Sequence, residues 1–154
     1  KKGSQWIATK KEFSNFDLRL EYKIPTDGNS GVFIRAPKEG NPWVTGLEIQ
    51  VLDDYGPKWK DLKPDQFTAA IYAVQPPSER ATKKAGEWQT LRILCAGSKC
   101  RVWVNGRQVI KADLAKLAEK VKNVPGLKRT GGFIGLQNHS SPVFYRNIRI
   151  KELK

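Results

Sequence analysis

The chain is poor in the residues that build metal and disulfide scaffolds. Its 154 residues include only two cysteines and one histidine, His139. Cys95 and Cys100 form one pair, and a cysteine-based zinc site would need a second pair of ligands, so such a site is excluded. No apolar run approaches the roughly 18 residues of a membrane-spanning helix. We therefore expect no cofactor, no metal centre and no membrane partner.

Acidic residues are also few, 15 against 28 lysines and arginines, which gives a net charge of +13. Such a charge favours polyanion partners, including nucleic acids and anionic polysaccharides. The lysines are scattered along the sequence, however, and no dense basic block with interleaved aromatic residues is present. We therefore interpret the charge as a basic solvated surface that binds polyanions weakly, nonspecifically and in a salt-sensitive way.

The opening KKGSQWIATKK has no charged-then-apolar export signal and resembles sequence from within a protein. It gives no information about compartment.

Strand patterns dominate the chain. FDLRLEYKI alternates apolar and polar residues along its whole length. Further strand-like runs are separated by turns rich in Gly, Pro, Asn and Asp, and Asn105-Gly106 is the strongest hairpin signal. The pattern predicts one all-β domain over residues 1–154, an antiparallel β-sandwich or barrel. The predicted strands are 16–24, 30–36, 46–53, 67–74, 88–95, 100–106, 107–110, 132–138 and 143–153.

One segment, ADLAKLAEKVKNVPG, predicts a short connector helix. Apolar residues recur at helical spacing, Asp113 could cap the start, and Pro125-Gly126 could end it. The recurring residues are Leu114, Leu117, Ala118 and Val121.

The two cysteines flank the turn AGSK between two strand-like runs. Cys95 and Cys100 then face each other across a hairpin. A cross-strand disulfide and two free thiols are both compatible with this position.

The alternation of apolar and polar residues along the strands does not by itself explain several polar side chains. Glu48 shares a face with Gln50, and Gln137 lies near His139. Arg35 adds a cation, while Tyr72 and Trp103 could add aromatic surface. Taken singly, each is explained as a solvent-facing or structural residue, and Asn29 as a turn residue. Together they predict a concave sheet suited to a sugar, with hydrogen-bonding side chains and aromatic faces. This pattern does not separate a binding module from an enzyme.

Ordered motifs along almost the whole chain, from about Trp6 to Leu153, resemble the 3-keto-disaccharide hydrolase family. They include GNSGVFIR (28–35), EIQVLD (48–53), AGEW (85–88) and GLQNH followed by VFYRNIRIKEL. The resemblance implies a concanavalin-A-like jelly-roll sandwich, a carbohydrate partner, a periplasmic or extracellular location, and cleavage of glycosides oxidised at C3. The positions that match the family's polar motifs are Asn29, Arg35, Glu48, Gln50, Tyr72, Gln137 and His139.

The resemblance leads to a mechanistic hypothesis. A C3 ketone acidifies the C2 proton, so a base can remove it, the C1 leaving group departs, and water adds back. We expect His139 and Glu48 as the base and acid pair, with Arg35 and Gln50 holding the keto oxygen and hydroxyls. A route with two carboxylates is the chemical alternative. Asp53 and Asp54, at the end of the Glu48 strand, could contribute to it or hold a structural cation.

Two other functions remain open at this point. The same fold hosts non-catalytic carbohydrate-binding, lectin-like modules. A polyanion-binding surface would follow from the +13 charge and would be indifferent to Glu48.

The chain departs from the family in two places. Members usually carry a leading segment, whereas QWIAT (5–9) comes almost at once here, so we expect one edge of the sandwich to be altered. Ser140 stands where the family often has glycine after the histidine, which could change the turn that aims His139.

Overall fold

A computed structural model describes residues 5–154 and contains two antiparallel β-sheets. The first four strands along the chain are β1 (Gln5–Ala8), β2 (Phe16–Lys23), β3 (Asn29–Ala36) and β4 (Leu47–Leu52). The next three are β5 (Gln89–Ala96), β6 (Lys99–Val104) and β7 (Arg107–Asp113). The last two are β8 (Phe133–Asn138) and β9 (Phe144–Glu152).

The sheets contain four and five strands, in the orders β1-β8-β3-β4 and β7-β6-β5-β2-β9. Their inner faces share one apolar core. From the five-stranded sheet, alternate residues of β2 are buried, among them Leu18 and Tyr22, and from the four-stranded sheet Val32 and Ile49 meet them. The all-β sandwich predicted from the alternating runs is confirmed.

The half of the four-stranded sheet formed by β3 and the edge strand β4 is covered on both faces. Every residue of β4 is buried, and seven of the eight residues of β3 are buried. A strand with one solvated face alternates between buried and exposed positions, as β2 does. The second face of β3 and β4 is therefore enclosed, and its polar side chains have little access to water.

The predicted helix is confirmed as α2 (Leu114–Lys120), and the Asp113 side chain caps it by accepting a hydrogen bond from the Ala115 backbone at 3.2 Å. Pro125–Leu127 forms a separate 3₁₀ turn beyond it. A four-residue helix, α1 (Pro42–Thr45), was not predicted. None of the helices within residues 5–154 is long and apolar enough to cross a lipid bilayer.

The strand predicted over 67–74 is wrong. This segment makes only isolated bridges, because Ala69 and Ala73 adopt φ values of +69° and +56°, which interrupt an extended backbone. It still follows the edge of β4, where the Ala69 amide donates to the Gln50 carbonyl at 2.8 Å. The segment therefore borders the sheet without adding a regular strand.

Both hairpins are formed as predicted. Asn105 and Gly106 join β6 to β7 with φ values of +50° and +83°, the conformation that favours this dipeptide. Cys95 lies directly opposite Cys100 in the β5–β6 pair. Both cysteines are fully buried, and both are free thiols.

This arrangement predicts that a thiol reagent will label neither cysteine in the native protein and both after unfolding. Burial keeps the reagent away from the sulfurs until the sandwich opens. Mass spectrometry after timed labelling with and without denaturant measures this. Fast native labelling would contradict the burial, and no labelling of the unfolded chain would show a disulfide instead.

Candidate functional site

The outward face of the four-stranded sheet carries most of the residues selected from the sequence. We call this surface the polar face. Strand register sets its side chains in two adjacent rows, because Phe33 pairs with both Glu48 and Gly135, and Gly31 pairs with Gln50. The polar face consists of Trp6, Ala8, Asn29, Gly31, Phe33, Glu48, Gln50, Gly135 and Gln137.

Glu48 lies on the edge strand β4, and its carboxyl extends inward over Gly31 on β3. A Cβ atom at residue 31 would lie 2.3 Å from Glu48 Oε1, so only glycine leaves room for this position. The Glu48 carboxyl reaches across β3 and makes a hydrogen bond with the Gln137 side chain. The glycine thus lets a side chain of β4 meet a side chain of β8.

Burial changes the acidity of this carboxyl. Glu48 is 6% exposed. Its burial raises the pKa to about 7 from 4.5, and the hydrogen bond from Gln137 opposes this in part. The carboxyl therefore exchanges its proton near neutral pH, the range in which a general base or acid is most effective.

Two buried oxygens on the polar face have no hydrogen-bond partner among residues 5–154: Gln137 Oε1 and Asn29 Oδ1. A buried oxygen without a hydrogen bond destabilises the protein by roughly 1–3 kcal/mol. A ligand whose hydroxyl group donates a hydrogen bond to it removes this penalty and binds more tightly. The Trp59 indole nitrogen, a donor, is also buried and has no partner in the described part of the chain. Trp59 lies close to the start of β3, since the neighbouring Lys58 amide donates to Asp27 Oδ1 at 3.0 Å.

Aromatic rings border the polar groups. Trp6 covers Gly135, where a Cβ would lie 2.0 Å from the indole ring. The Trp6 ring meets the Phe33 ring edge-on, with centroids 5.7 Å apart. On the other side, the Tyr72 amide donates to the Glu48 carbonyl at 2.9 Å, and the Tyr72 hydroxyl accepts from Gln66 Nε2 at 3.0 Å. The C–H faces of a sugar pack well on such rings.

Gln50 and His139 lie at different depths. Gln50 is 3% exposed, and its Oε1 accepts from the Val51 amide at 3.1 Å. His139 is exposed and follows the end of β8, two residues beyond Gln137. The next residue, Ser140, has φ +64°, a left-handed conformation that glycine adopts at lower cost. Ser140 therefore occupies a conformation that suits glycine, and whether it changes the turn that aims His139 stays a prediction.

Arg35 does not lie with these residues, and the prediction that it shares the polar face is wrong. A register shift between Phe33 and Ala36, together with φ +52° at Arg35, ends the alternation on which the prediction rested. The guanidinium is buried and donates to the carbonyls of Gly97 and Arg129. Arg35 therefore ties the end of β3 to the β5–β6 hairpin.

Trp103 and the two aspartates also lie elsewhere. Trp103 is on β6, on the outer face of the other sheet. The aromatic surface that was expected from Trp103 on the polar face is supplied by Trp6. Asp53 accepts from the Asp27 amide at 3.0 Å, and Asp54 accepts from the Thr68 amide at 2.8 Å. Both carboxylates hold loops together. Within residues 5–154, no group of three His, Cys, Asp or Glu side chains could hold a metal ion.

Sequence reasoning missed the residues that shape the polar face. Gly31 and Gly135 are the main ones, and an isolated glycine within a strand pattern is a usable signal of close approach by another group. Trp6, Trp59 and Gln66 gave no signal of their own, because loop and edge positions do not follow from strand periodicity.

Comparison with known proteins places this two-sheet sandwich in a family. A family model described as the 3-keto-alpha-glucoside-1,2-lyase-like domain matches residues 1–151. The chain belongs to this family, and the resemblance to 3-keto-disaccharide hydrolases is confirmed.

Individual relatives agree with the family. A 3-keto-disaccharide hydrolase from Bacteroides thetaiotaomicron is 31% identical over 173 aligned positions, which cover 92% of this chain and 60% of the relative. A candidate glycosyl hydrolase of known structure from Parabacteroides distasonis is 33% identical, with a TM-score of 0.87 over 99% of this chain and 85% of that one. The carbohydrate-binding module CBM66 from Bacillus subtilis shares the fold at 17% identity and a TM-score of 0.63.

The position of Glu48 over Gly31 predicts that Gly31→Ala disturbs the polar face more than the core. The new methyl group would push the Glu48 carboxyl away and break its contact with Gln137. We expect Glu48 to titrate closer to its ordinary pKa and ligand binding on this face to weaken, while the variant stays folded. Circular dichroism and calorimetry with a sugar ligand measure this. A variant that binds as tightly as the parent would contradict it.

The raised pKa of Glu48 predicts a pH dependence of stability. The folded protein keeps this proton up to about pH 7, whereas the unfolded chain releases it near pH 4.5. Between these values the folded state binds more protons, so the free energy of unfolding falls as pH rises, by about 3 kcal/mol.

Glu48→Gln removes this dependence while keeping size and hydrogen bonding. In urea unfolding from pH 4 to 8, the variant should gain about 3 kcal/mol relative to the parent as pH rises. Parallel stability profiles for the two proteins would show that the Glu48 pKa is not raised.

Proposed function

We propose that this chain binds a 3-keto-glycoside on the polar face and cleaves its glycosidic bond by elimination across C1 and C2, followed by hydration. The observation that carries the proposal is the Glu48 carboxyl, buried over Gly31 and poised near neutral pH. The family description names a 1,2-lyase, and the Bacteroides relative is named a 3-keto-disaccharide hydrolase. Elimination is the chemistry that the first name describes, and hydration of its product gives the outcome of the second.

The reaction needs one base and one acid. The base takes the C2 proton, and the C2–H electron pair moves toward the C3 carbonyl to form an enolate. The enolate then expels the C1 oxygen substituent, which takes a proton from the acid. Water adds to C1 of the resulting unsaturated ketone, a proton returns to C2, and the net reaction is hydrolysis.

Glu48 is the base in this proposal. Its carboxylate form exists above about pH 7, and its ordinary pKa would make it a much weaker base. His139 supplies the proton to the leaving group, from the exposed end of β8 where the second sugar would extend into solvent. Because Arg35 is engaged elsewhere, the Gln50 amide holds the keto oxygen.

The unpaired oxygens of Gln137 and Asn29 accept hydrogen bonds from sugar hydroxyls, and Trp6 and Tyr72 flank the ring. The two-carboxylate route needs a second carboxylate beside Glu48. Glu48 is the one carboxylate among the nine described residues that define the polar face, so this route has little support.

A non-catalytic carbohydrate-binding module is the second candidate. The low exposure of Glu48 favours it, because a base must reach the substrate. The likeness to CBM66 supports the fold alone. Binding without turnover separates the two functions.

The proposal predicts that the chain releases sugar from a 3-keto-disaccharide and not from its unoxidised parent. This selectivity is expected because the ketone acidifies the C2 proton. Glu48→Gln removes the base and should therefore lower kcat by about 10²–10⁴-fold. In the parent protein kcat/KM should rise with pH through about 7, as the carboxylate forms. Chromatography of the released sugars measures both.

Glu119→Gln, an exposed change on α2, is the matched control and should leave turnover unchanged. His139→Ala should lower kcat most for poor leaving groups. Full activity of Glu48→Gln would overturn the assignment. Calorimetric binding of the keto-disaccharide with no turnover by the parent would establish the binding module instead.

A further inference from the structure

The basic residues that are scattered along the sequence come together on one surface, the outer face of the five-stranded sheet. We call it the basic face. Alternation along the strands sends nine basic and only three acidic side chains to it. The basic ones are Arg19, Lys23, Arg92, Lys99, Arg101, Lys111, Arg146, Arg149 and Lys151, and the acidic ones are Asp17, Glu21 and Asp113.

Strand register turns part of this charge into a row. Arg149, Arg19 and Arg92 lie directly opposite one another on three neighbouring strands. Strands are spaced about 4.8 Å apart, and like charges placed opposite each other destabilise a sheet. The row is therefore not explained by the stability of the fold.

The three acidic side chains offset only part of the charge. Asp17 holds Arg92 through two hydrogen bonds of 2.8 and 2.9 Å and also holds Arg19 at 3.0 Å. Glu21 pairs with Arg146 and Asp113 with Lys99. Five of the nine cations form no ion pair with an acidic side chain in the described part of the chain. Lys23 is half-buried and lies over the Trp88 and Phe144 rings, whereas the other four are exposed: Arg101, Lys111, Arg149 and Lys151.

A recess of about 350 Å³ lies within the basic face. Its lining combines arginines with groups suited to hydroxyls: Arg19, Arg92, Arg149, Thr90 and Asn147. Trp103 and Glu21 also line it, and the Glu21 carboxylate is paired with Arg146. Arginine forks bind carboxylate and sulfate groups in a bidentate way, while threonine and asparagine side chains bind hydroxyls.

Two features argue against other polyanions. Guanidinium groups already cover the rings of Trp103 and Trp88, at 4.5 Å for Arg92 and 3.8 Å for Arg146, so these rings are not open platforms for nucleobases. The face is a sheet surface, and it has no helix that could enter a DNA groove. Of its large apolar side chains, only Phe144 is strongly exposed, which is little to insert into a membrane.

We propose that the basic face binds an acidic polysaccharide, a chain of sugars that carry carboxylate or sulfate groups. The polymer crosses the strands along the arginine row, and one of its sugar units occupies the recess beside Trp103. Because this face is on the opposite side of the sandwich from the polar face, the chain could hold the polymer while the polar face remains free. The proposal is independent of catalysis by Glu48.

The test uses polygalacturonate and dextran sulfate as probes, with neutral dextran, single-stranded DNA and anionic phospholipid vesicles for comparison. A fourfold variant, Arg101→Gln, Lys111→Gln, Arg149→Gln and Lys151→Gln, removes the four exposed unpaired cations. The matched control removes four exposed lysines from other surfaces: Lys38→Gln, Lys60→Gln, Lys116→Gln and Lys120→Gln. The two variants carry the same net charge, so they separate the location of charge from its amount.

We expect the fourfold variant to lose about tenfold or more in affinity for one of the acidic polymers, with a shallower salt dependence, and the control to lose much less. The four single variants, measured alongside, should each weaken binding in the same direction. Glu48→Gln should bind the polymer as tightly as the parent does. The binding result can therefore be interpreted even if the proposed catalysis fails. The relative affinities for the two acidic polymers tell carboxylate from sulfate recognition.

Three outcomes would overturn the proposal. Equal losses in the fourfold variant and the control would mean that net charge alone drives binding. Equal binding of neutral dextran would remove the role of charge. Tighter binding of single-stranded DNA or of vesicles than of both acidic polymers would assign the face to another partner.

Discussion

The position of one carboxyl group over one glycine organises the polar face. Glu48 can lie across β3 because Gly31 has no side chain, and this brings it to Gln137 on the strand beyond. The same enclosure that buries β3 and β4 on both faces removes water from the carboxyl and raises its pKa to about 7. Packing, hydrogen bonding and acidity at this site therefore share one cause.

The two outer faces of the sandwich have different chemistry because the same alternation acts on two different sheets. In the four-stranded sheet it sends uncharged polar and aromatic side chains outward, with Glu48 as the exception. In the five-stranded sheet it sends arginines and lysines outward, among them Arg19 and Arg149. A neutral sugar is suited to the first surface and a polyanion to the second, so one small domain presents two surfaces with different ligand chemistries.

Periodicity predicted the strands and the grouping of Glu48, Gln50 and Gln137, because these residues lie on regular strands where period two holds. It failed at Arg35, where a positive φ and a shift of register turn the side chain away. It also failed over 67–74, where two alanines with positive φ interrupt an apolar run that otherwise has strand composition. Local backbone irregularities of this kind depend on tertiary contacts, and one sequence does not reveal them.

The direct test of the account is the titration of Glu48 itself, followed by the carboxyl ¹³C chemical shift of the folded protein, with the resonance assigned by its absence in Glu48→Gln. The account predicts a midpoint near pH 7, well above the ordinary value of 4.5. A midpoint near 4.5 would mean that the carboxyl is solvated, and neither the enclosed polar face nor a base poised at neutral pH would stand.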